Sequence, residues 1–123
     1  MKTHVASSLF EALSSDIRLE IFRLLVKYAP DGLVAGEIAT QLNIPANNLS
    51  FHLKNLTHSG MVSMEKEGRF LRYRASIPLM LELVAYLTKE CCQGNPGKCQ
   101  GYREQSRVPS AVLPPISPEK ADE

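Results

Sequence analysis

Cys91, Cys92 and Cys99 are the only cysteines of the 123-residue chain, and all three fall within nine positions. Thiolates are soft ligands and select soft acceptors. Three sulfurs around one atom, with the fourth direction left to a lone pair, form the natural coordination of trivalent arsenic or antimony. Zinc would want a fourth ligand, and this segment offers no further Cys and no His. Adjacent residues on a regular helix point about 100° apart, so Cys91 and Cys92 can share a ligand only where the helix is ending. Gly94-Asn95-Pro96-Gly97 supplies that ending and a turn able to fold Cys99 back onto the pair. Other uses of the thiols stay open: a redox switch closing Cys99 onto Cys91 or Cys92, a site for zinc, cadmium or lead, or a cluster with no role. An odd number of cysteines suits a reducing compartment better than a disulfide framework.

A second group of residues carries the chemistry of base and phosphate recognition. On a helix expected from Pro45 to about His58, Leu49, Leu53 and Leu56 share the inward side, so Asn47, Phe51, Lys54 and His58 point away, flanked by Asn48 and Ser50. Asn pairs with adenine in a bidentate manner, Ser serves base edges or phosphate, and an outward aromatic can touch a thymine methyl. Lys54 suits a phosphate. His52 sits at the edge of the inward side, either as a boundary residue or as a base reader. Between Lys54 and Arg74 there are five basic residues (Lys54, Lys66, Arg69, Arg72, Arg74) and two acidic ones (Glu65, Glu67), in a chain whose net charge is only +1. The bland alternative is that these charges merely solvate a hairpin; joined to the helix pattern, they suit contact with DNA through Arg69 and Arg72.

The positioning elements follow from periodicity. Val5 to Leu13 reads as a helix, and Ser14-Ser15-Asp16 offers a cap for a second from Ile17 to Tyr28, with Ile17, Ile21, Leu24, Leu25 and Tyr28 on one face. Pro30-Asp31-Gly32 stops it, a short helix covers Ala35 to Leu42, and Gly60 ends the fourth. The period then changes: Met61–Met64 and Phe70–Arg74 read as strands around a loop from Glu65 to Arg69. Pro78 opens a fifth helix to about Glu90, striped by Leu79, Leu83, Tyr86 and Leu87, and the Pro-rich stretch from Arg103 reads as a flexible tail. The order of elements is that of a winged helix-turn-helix, mainly α with a small β-hairpin, in which the second helix of the pair enters the major groove.

Length and composition set the outer limits. At this size one domain is expected, drawn over residues 1–92, with a C-terminal loop and tail over 93–123. No run of about 18 apolar residues is present, and no signal peptide opens the chain, so a cytoplasmic protein without a membrane partner is expected. A thiol enzyme fits poorly: the chain has no C-x-x-C, no Cys-x5-Arg loop and no Gly-rich phosphate cradle. No permanent cofactor is expected.

Ser50-Phe51-His52-Leu53-Lys54-Asn55-Leu56, followed by Ser59-Gly60-Met61-Val62, resembles the S-x-H-L-x-x-L-x-x-A-G-L-V signature of the ArsR/SmtB metalloregulatory repressors. Glu67-Gly68-Arg69 with Tyr73 is similar to that family's wing, and Phe10-x-Ala12-Leu13-Ser14-Ser15-x-x-Arg18-Leu19 to its N-terminal pattern. The resemblance spans about residues 5 to 90. It implies a homodimer joined through the first and fifth helices, sitting on palindromic double-stranded operator DNA until an inducer weakens its hold. His52 matches the family's motif histidine. The C-V-C-D motif of the family's best-known arsenic sensors is missing from the third helix here, as are the His ligands of its zinc and nickel sensors on the last helix. Other arsenical sensors of the family carry a vicinal Cys pair with a third Cys beyond the last helix, and Cys91, Cys92 and Cys99 match that variant. The expected inducer is arsenite or another trivalent arsenical or antimonite; the alternative is a thiol redox or other soft-metal sensor on the same fold.

Overall fold

The computed structural model describes residues 1–110 and Val112. Its elements run α1 (Thr3–Leu13), α2 (Asp16–Lys27), β1 (Leu33–Val34), α3 (Ala35–Leu42), α4 (Ala46–Ser59), β2 (Val62–Glu67), β3 (Phe70–Ala75) and α5 (Ile77–Thr88), followed by two 3-10 turns (Cys91–Gly94 and Pro96–Cys99) and α6 (Gln100–Gln105). The three strands form one antiparallel sheet in the order β1-β3-β2. This is a winged helix-turn-helix fold. The chain divides into two compact units, Met1–Tyr86 and a second beginning at Leu87, so all three cysteines belong to the second unit.

Helix boundaries in the first unit have local causes. Ser15 caps α2 by accepting the Arg18 backbone N–H (3.4 Å), and Arg18 Nε donates to the Ala12 carbonyl (2.7 Å), satisfying an acceptor at the end of α1. Glu37 accepts the Val34 N–H (3.1 Å) where α3 begins. Asn43, left-handed at φ 51, ends α3, and Gly60 at φ 89 ends α4. Gly32 has φ 73, and a Cβ there would run into the Tyr73 carbonyl, so only glycine lets this turn approach β3 so closely.

Ile21, Leu25, Ile38, Leu49, Leu53, Leu56 and Met61 are the fully buried heart of the core. The inward row expected for the fourth helix is therefore observed. Elsewhere the stripes shift. On α1 the chain buries Ala6, Leu9 and Ala12, leaving Val5 exposed; on α2, Phe22 is buried and Tyr28 is not.

Several boundaries correct the sequence expectations. α1 begins at Thr3, two residues early. The connection expected over Glu65–Arg69 shrinks to Gly68-Arg69, because Glu65, Lys66 and Glu67 pair with Arg72, Leu71 and Phe70; charged residues on a solvated hairpin give no apolar alternation to announce a strand. β1 was not expected, since two residues are too short to show a period. α5 stops at Thr88 instead of Glu90, and Leu87 of its expected inward stripe is exposed. Arg103, assigned by sequence to the tail, lies in α6. Glu104 and Gln105 belong to α6 as well, while Ala111 and residues 113–123 of that Pro-rich tail, Pro114, Pro115 and Pro118 included, fall outside the described residues.

Candidate functional site

α3 and α4 are joined by Asn43-Ile44-Pro45, with the Leu49 N–H donating back to the Pro45 carbonyl (2.9 Å) to start the second helix. Because Leu49, Leu53 and Leu56 lock one side of α4 into the core, the opposite side is presented to solvent as a rigid surface. Asn47, Asn48, Ser50, Phe51 and Lys54 are all exposed, Phe51 to 63%. His52 is half-buried; its ring meets Phe51 edge-on (centroids 5.5 Å apart), and its buried Nδ1 has no hydrogen-bond partner among the described residues.

The hairpin sorts its charges into two groups. Arg72 Nε donates to both carboxylate oxygens of Glu67 (2.9 Å each), and Arg72 Nη1 reaches the carbonyl of Gly32 (3.3 Å). The hydrogen bond and charge of Glu67 push the Arg72 pKa further up. Arg74 pairs with Glu65 (2.7 Å) and lies 3.8 Å from Glu67. Solvent still reaches both pairs and screens them, so they add little to stability; their larger effect is to consume both acids of the hairpin. Lys54, Lys66 and Arg69 are left with no carboxylate partner among the described residues. Of the two arginines singled out from sequence, Arg69 sits exposed in the turn at the tip, and Arg72 is tied to Glu67 near the base of the turn. Lys66, the third unpaired cation, is exposed on β2. The signal that separates it from Arg72 is cross-strand register, legible only once the turn is known to be two residues long.

The second unit brings the three cysteines together. Their Sγ atoms lie within 4.8 Å of one another, with Cys91 and Cys92 at 3.8 Å. Metal–thiolate bonds of about 2.3 Å at tetrahedral angles hold sulfurs about 3.8 Å apart, so the vicinal pair already has a ligand-like separation, and pyramidal angles demand only slight contraction. The obstacle anticipated for neighbours on a helix is removed by the backbone: Glu90, Cys92, Gln93 and Gly94 have φ values of 60, 54, 60 and 77. Each left-handed non-glycine residue costs about 1–2 kcal/mol. The turn is held by the Asn95 side chain accepting the Gly97 N–H (3.0 Å), by Lys98 Nζ donating to Gln93 Oε1 (2.8 Å), and by Cys99 Sγ donating to the Pro96 carbonyl (3.3 Å). Removal from water, then hydrogen bonds to Cys91 and Cys99 and their charges, push the Cys92 thiol up to about 11.

Fold and site define the chain as a winged helix-turn-helix protein carrying a cluster of three free thiols. Residues 13–65 match a family model described as a helix-turn-helix domain. The chain is 29% identical to the transcriptional activator HlyU of Vibrio cholerae over 87 residues, covering 71% of this chain and 78% of that protein. A structure described as reduced HlyU from Vibrio cholerae N16961 shares 27% identity and a TM-score of 0.58, over 74% of this chain and 93% of the other. An ArsR-like transcriptional regulator from Rhodococcus sp. RHA1 shares 25% identity and a TM-score of 0.62, over 85% of this chain and 96% of the other. The helix-turn-helix of this chain is of the type those regulators carry.

Proposed function

We propose that this protein is a homodimeric, cytoplasmic transcriptional repressor that leaves double-stranded operator DNA when trivalent arsenic binds Cys91, Cys92 and Cys99. The observation that carries the inducer is the convergence of three Sγ atoms within 4.8 Å of one another. Arsenite is As(OH)3 at neutral pH. Each As–O bond exchanges for an As–S bond, and each thiol proton departs with a hydroxide as water, so three thiols yield three waters with no oxidant and no net proton. Thiols kept protonated, as the raised Cys92 is, suit this exchange better than capture of a divalent cation, which must displace the protons.

DNA binding rests on α4, with Asn47, Asn48, Ser50, Phe51, His52 and Lys54 on or beside its outer side, and on Arg69 of the wing, with Arg72 held closer to the sheet. Dimerisation through α1 and α5 is supported by the exposed apolar side chains of Val5 and Phe10 on the first and of Leu81, Val84 and Leu87 on the second. The thiol segment follows α5 by two residues in the chain. Arsenic bonding there would act on the end of a dimer helix, and differential affinity for two dimer geometries would release DNA.

The test is an operator titration with and without arsenite, paired with arsenic-edge absorption spectroscopy. The reading requires one arsenic per monomer, three sulfur neighbours, and loss of DNA binding. Undiminished DNA binding at saturating arsenite rejects the induction.

A redox sensor using the same thiols is the second reading, favoured by the 3.8 Å between Cys91 and Cys92 sulfurs. It would show as peroxide-sensitive DNA binding restored by a reductant, without an arsenite response. The raised Cys92 weighs against it, because the thiolate is the form that oxidants attack.

A further inference from the structure

Phe70, the first residue of β3, is 57% exposed at the end of the hairpin. Its neighbour Arg69 holds its guanidinium 6.0 Å from the Phe70 ring centroid, so one aromatic ring and one cation occupy the same tip. Register places Phe70 directly across from Glu67. Glu67 is neutralised from the strand side by Arg72 at 2.9 Å, and Glu65 by Arg74 at 2.7 Å. The tip beyond those pairs is therefore positive through Arg69 and apolar through Phe70, with Lys66 one rung further in, across from Leu71, and no acid of the hairpin left unpaired. Six residues in each strand give an arm about 20 Å long, ending in a two-residue turn, so that the ribbon can approach the duplex end-on and its tip side chains can enter a minor groove about 6 Å wide.

We propose that the wing tip is a minor-groove wedge: Arg69 and Lys66 seat it on the operator, and Phe70 enters between two base pairs and bends the duplex. This rests on the DNA-binding reading above and adds to it a deformation of the DNA. The match is one of charge and shape. A narrow minor groove concentrates negative potential and attracts Arg, and apolar side chains delivered there unstack a step and kink the helix toward the major groove by about 20–90°. Pyrimidine–purine steps yield most easily, so the wing would select sequence at a position where no base edge is read. Nothing in the fold requires Phe70 for packing; the buried residue of β3 is Tyr73.

The experiment uses the full chain and duplexes selected by it from a randomised pool, with 2-aminopurine placed at candidate steps. Wild-type protein should bend the duplex in a circular-permutation assay and raise 2-aminopurine fluorescence at one step per half-site. Phe70→Ala should abolish both signals and weaken binding about tenfold, within the cost of losing one base–aromatic stack, with an unchanged thermal midpoint. Phe70→Leu should retain much of the bend, because Leu also serves as a wedge. Lys66→Ala should lower affinity and salt dependence while keeping the bend. If Phe70→Ala binds with the bend and fluorescence of wild type, the wedge is wrong and the DNA-binding reading stands. If wild-type protein selects no duplex, both fall.

Discussion

Between Thr3 and Tyr86 the chain is held by burial, with seven large side chains fully removed from water. Between Glu90 and Cys99 no residue is buried, the backbone visits the left-handed region four times, and a few hydrogen bonds hold the turn. The first region keeps one geometry because changing it would expose apolar surface. The second has little burial to lose, so bonds to an incoming ligand can decide its conformation. A rigid helix-turn-helix joined in the chain to a weakly held thiol turn is the division of labour that the proposed ligand-controlled DNA binding requires.

Breaking the thiol side should have the largest effect. Cys99→Ser should raise the arsenite concentration needed for DNA release by more than about a hundredfold, beyond the usual cost of disturbing a ligand's supporting partner, while leaving affinity for DNA without arsenite unchanged. An unchanged arsenite response would remove Cys99 from the site. On the other side of the comparison, Leu53→Ala empties a position that is 1% exposed and should cost about 2–5 kcal/mol in urea unfolding, taking DNA binding with it. The same denaturation on Cys99→Ser should show almost no change.

Protons sharpen the contrast between ligands. The Cys92 thiol, pushed up to about 11, stays protonated across neutral pH. Arsenite gives up water in exchange, so its affinity should be flat from about pH 6 to 8. Cadmium must displace the protons, so its affinity should climb with pH, by up to about tenfold per unit for each proton released. Parallel calorimetric titrations check this, and a fall in arsenite affinity as pH rises across this range would show that the free protein holds thiolates, which must take up protons before arsenic can shed water. Smaller again is Lys54→Ala, which should reduce the salt dependence of DNA binding by about one phosphate contact with arsenite release intact.

The first region was largely legible in the sequence because burial writes a period into it. Leu49, Leu53 and Leu56 gave the face of α4, and Gly60 gave its end. Where the structure departs, periodicity was absent: β1 is two residues long, and the hairpin strands are mostly charged. Clustering of the thiols was legible as spacing, since a Gly-Asn-Pro-Gly turn can return the chain. Their means of convergence was not. Nothing in Glu90, Cys92 or Gln93 advertises positive φ, because none is a residue type that prefers it. Nor could spacing tell which cations remain unpaired, which depends on the diagonal contacts of Arg72 and Arg74 with Glu67 and Glu65.

All three sulfurs come from one nine-residue stretch, whose hydrogen bonds from Gly97, Lys98 and Cys99 close on Asn95, Gln93 and Pro96 within it. If the proposed arsenic site is right, such a detector would be portable. Spliced behind the final helix of another scaffold, it would carry its own coordination sphere with it, and a lineage could acquire or discard a response to a poison by exchanging a short peptide while its operator code stays untouched.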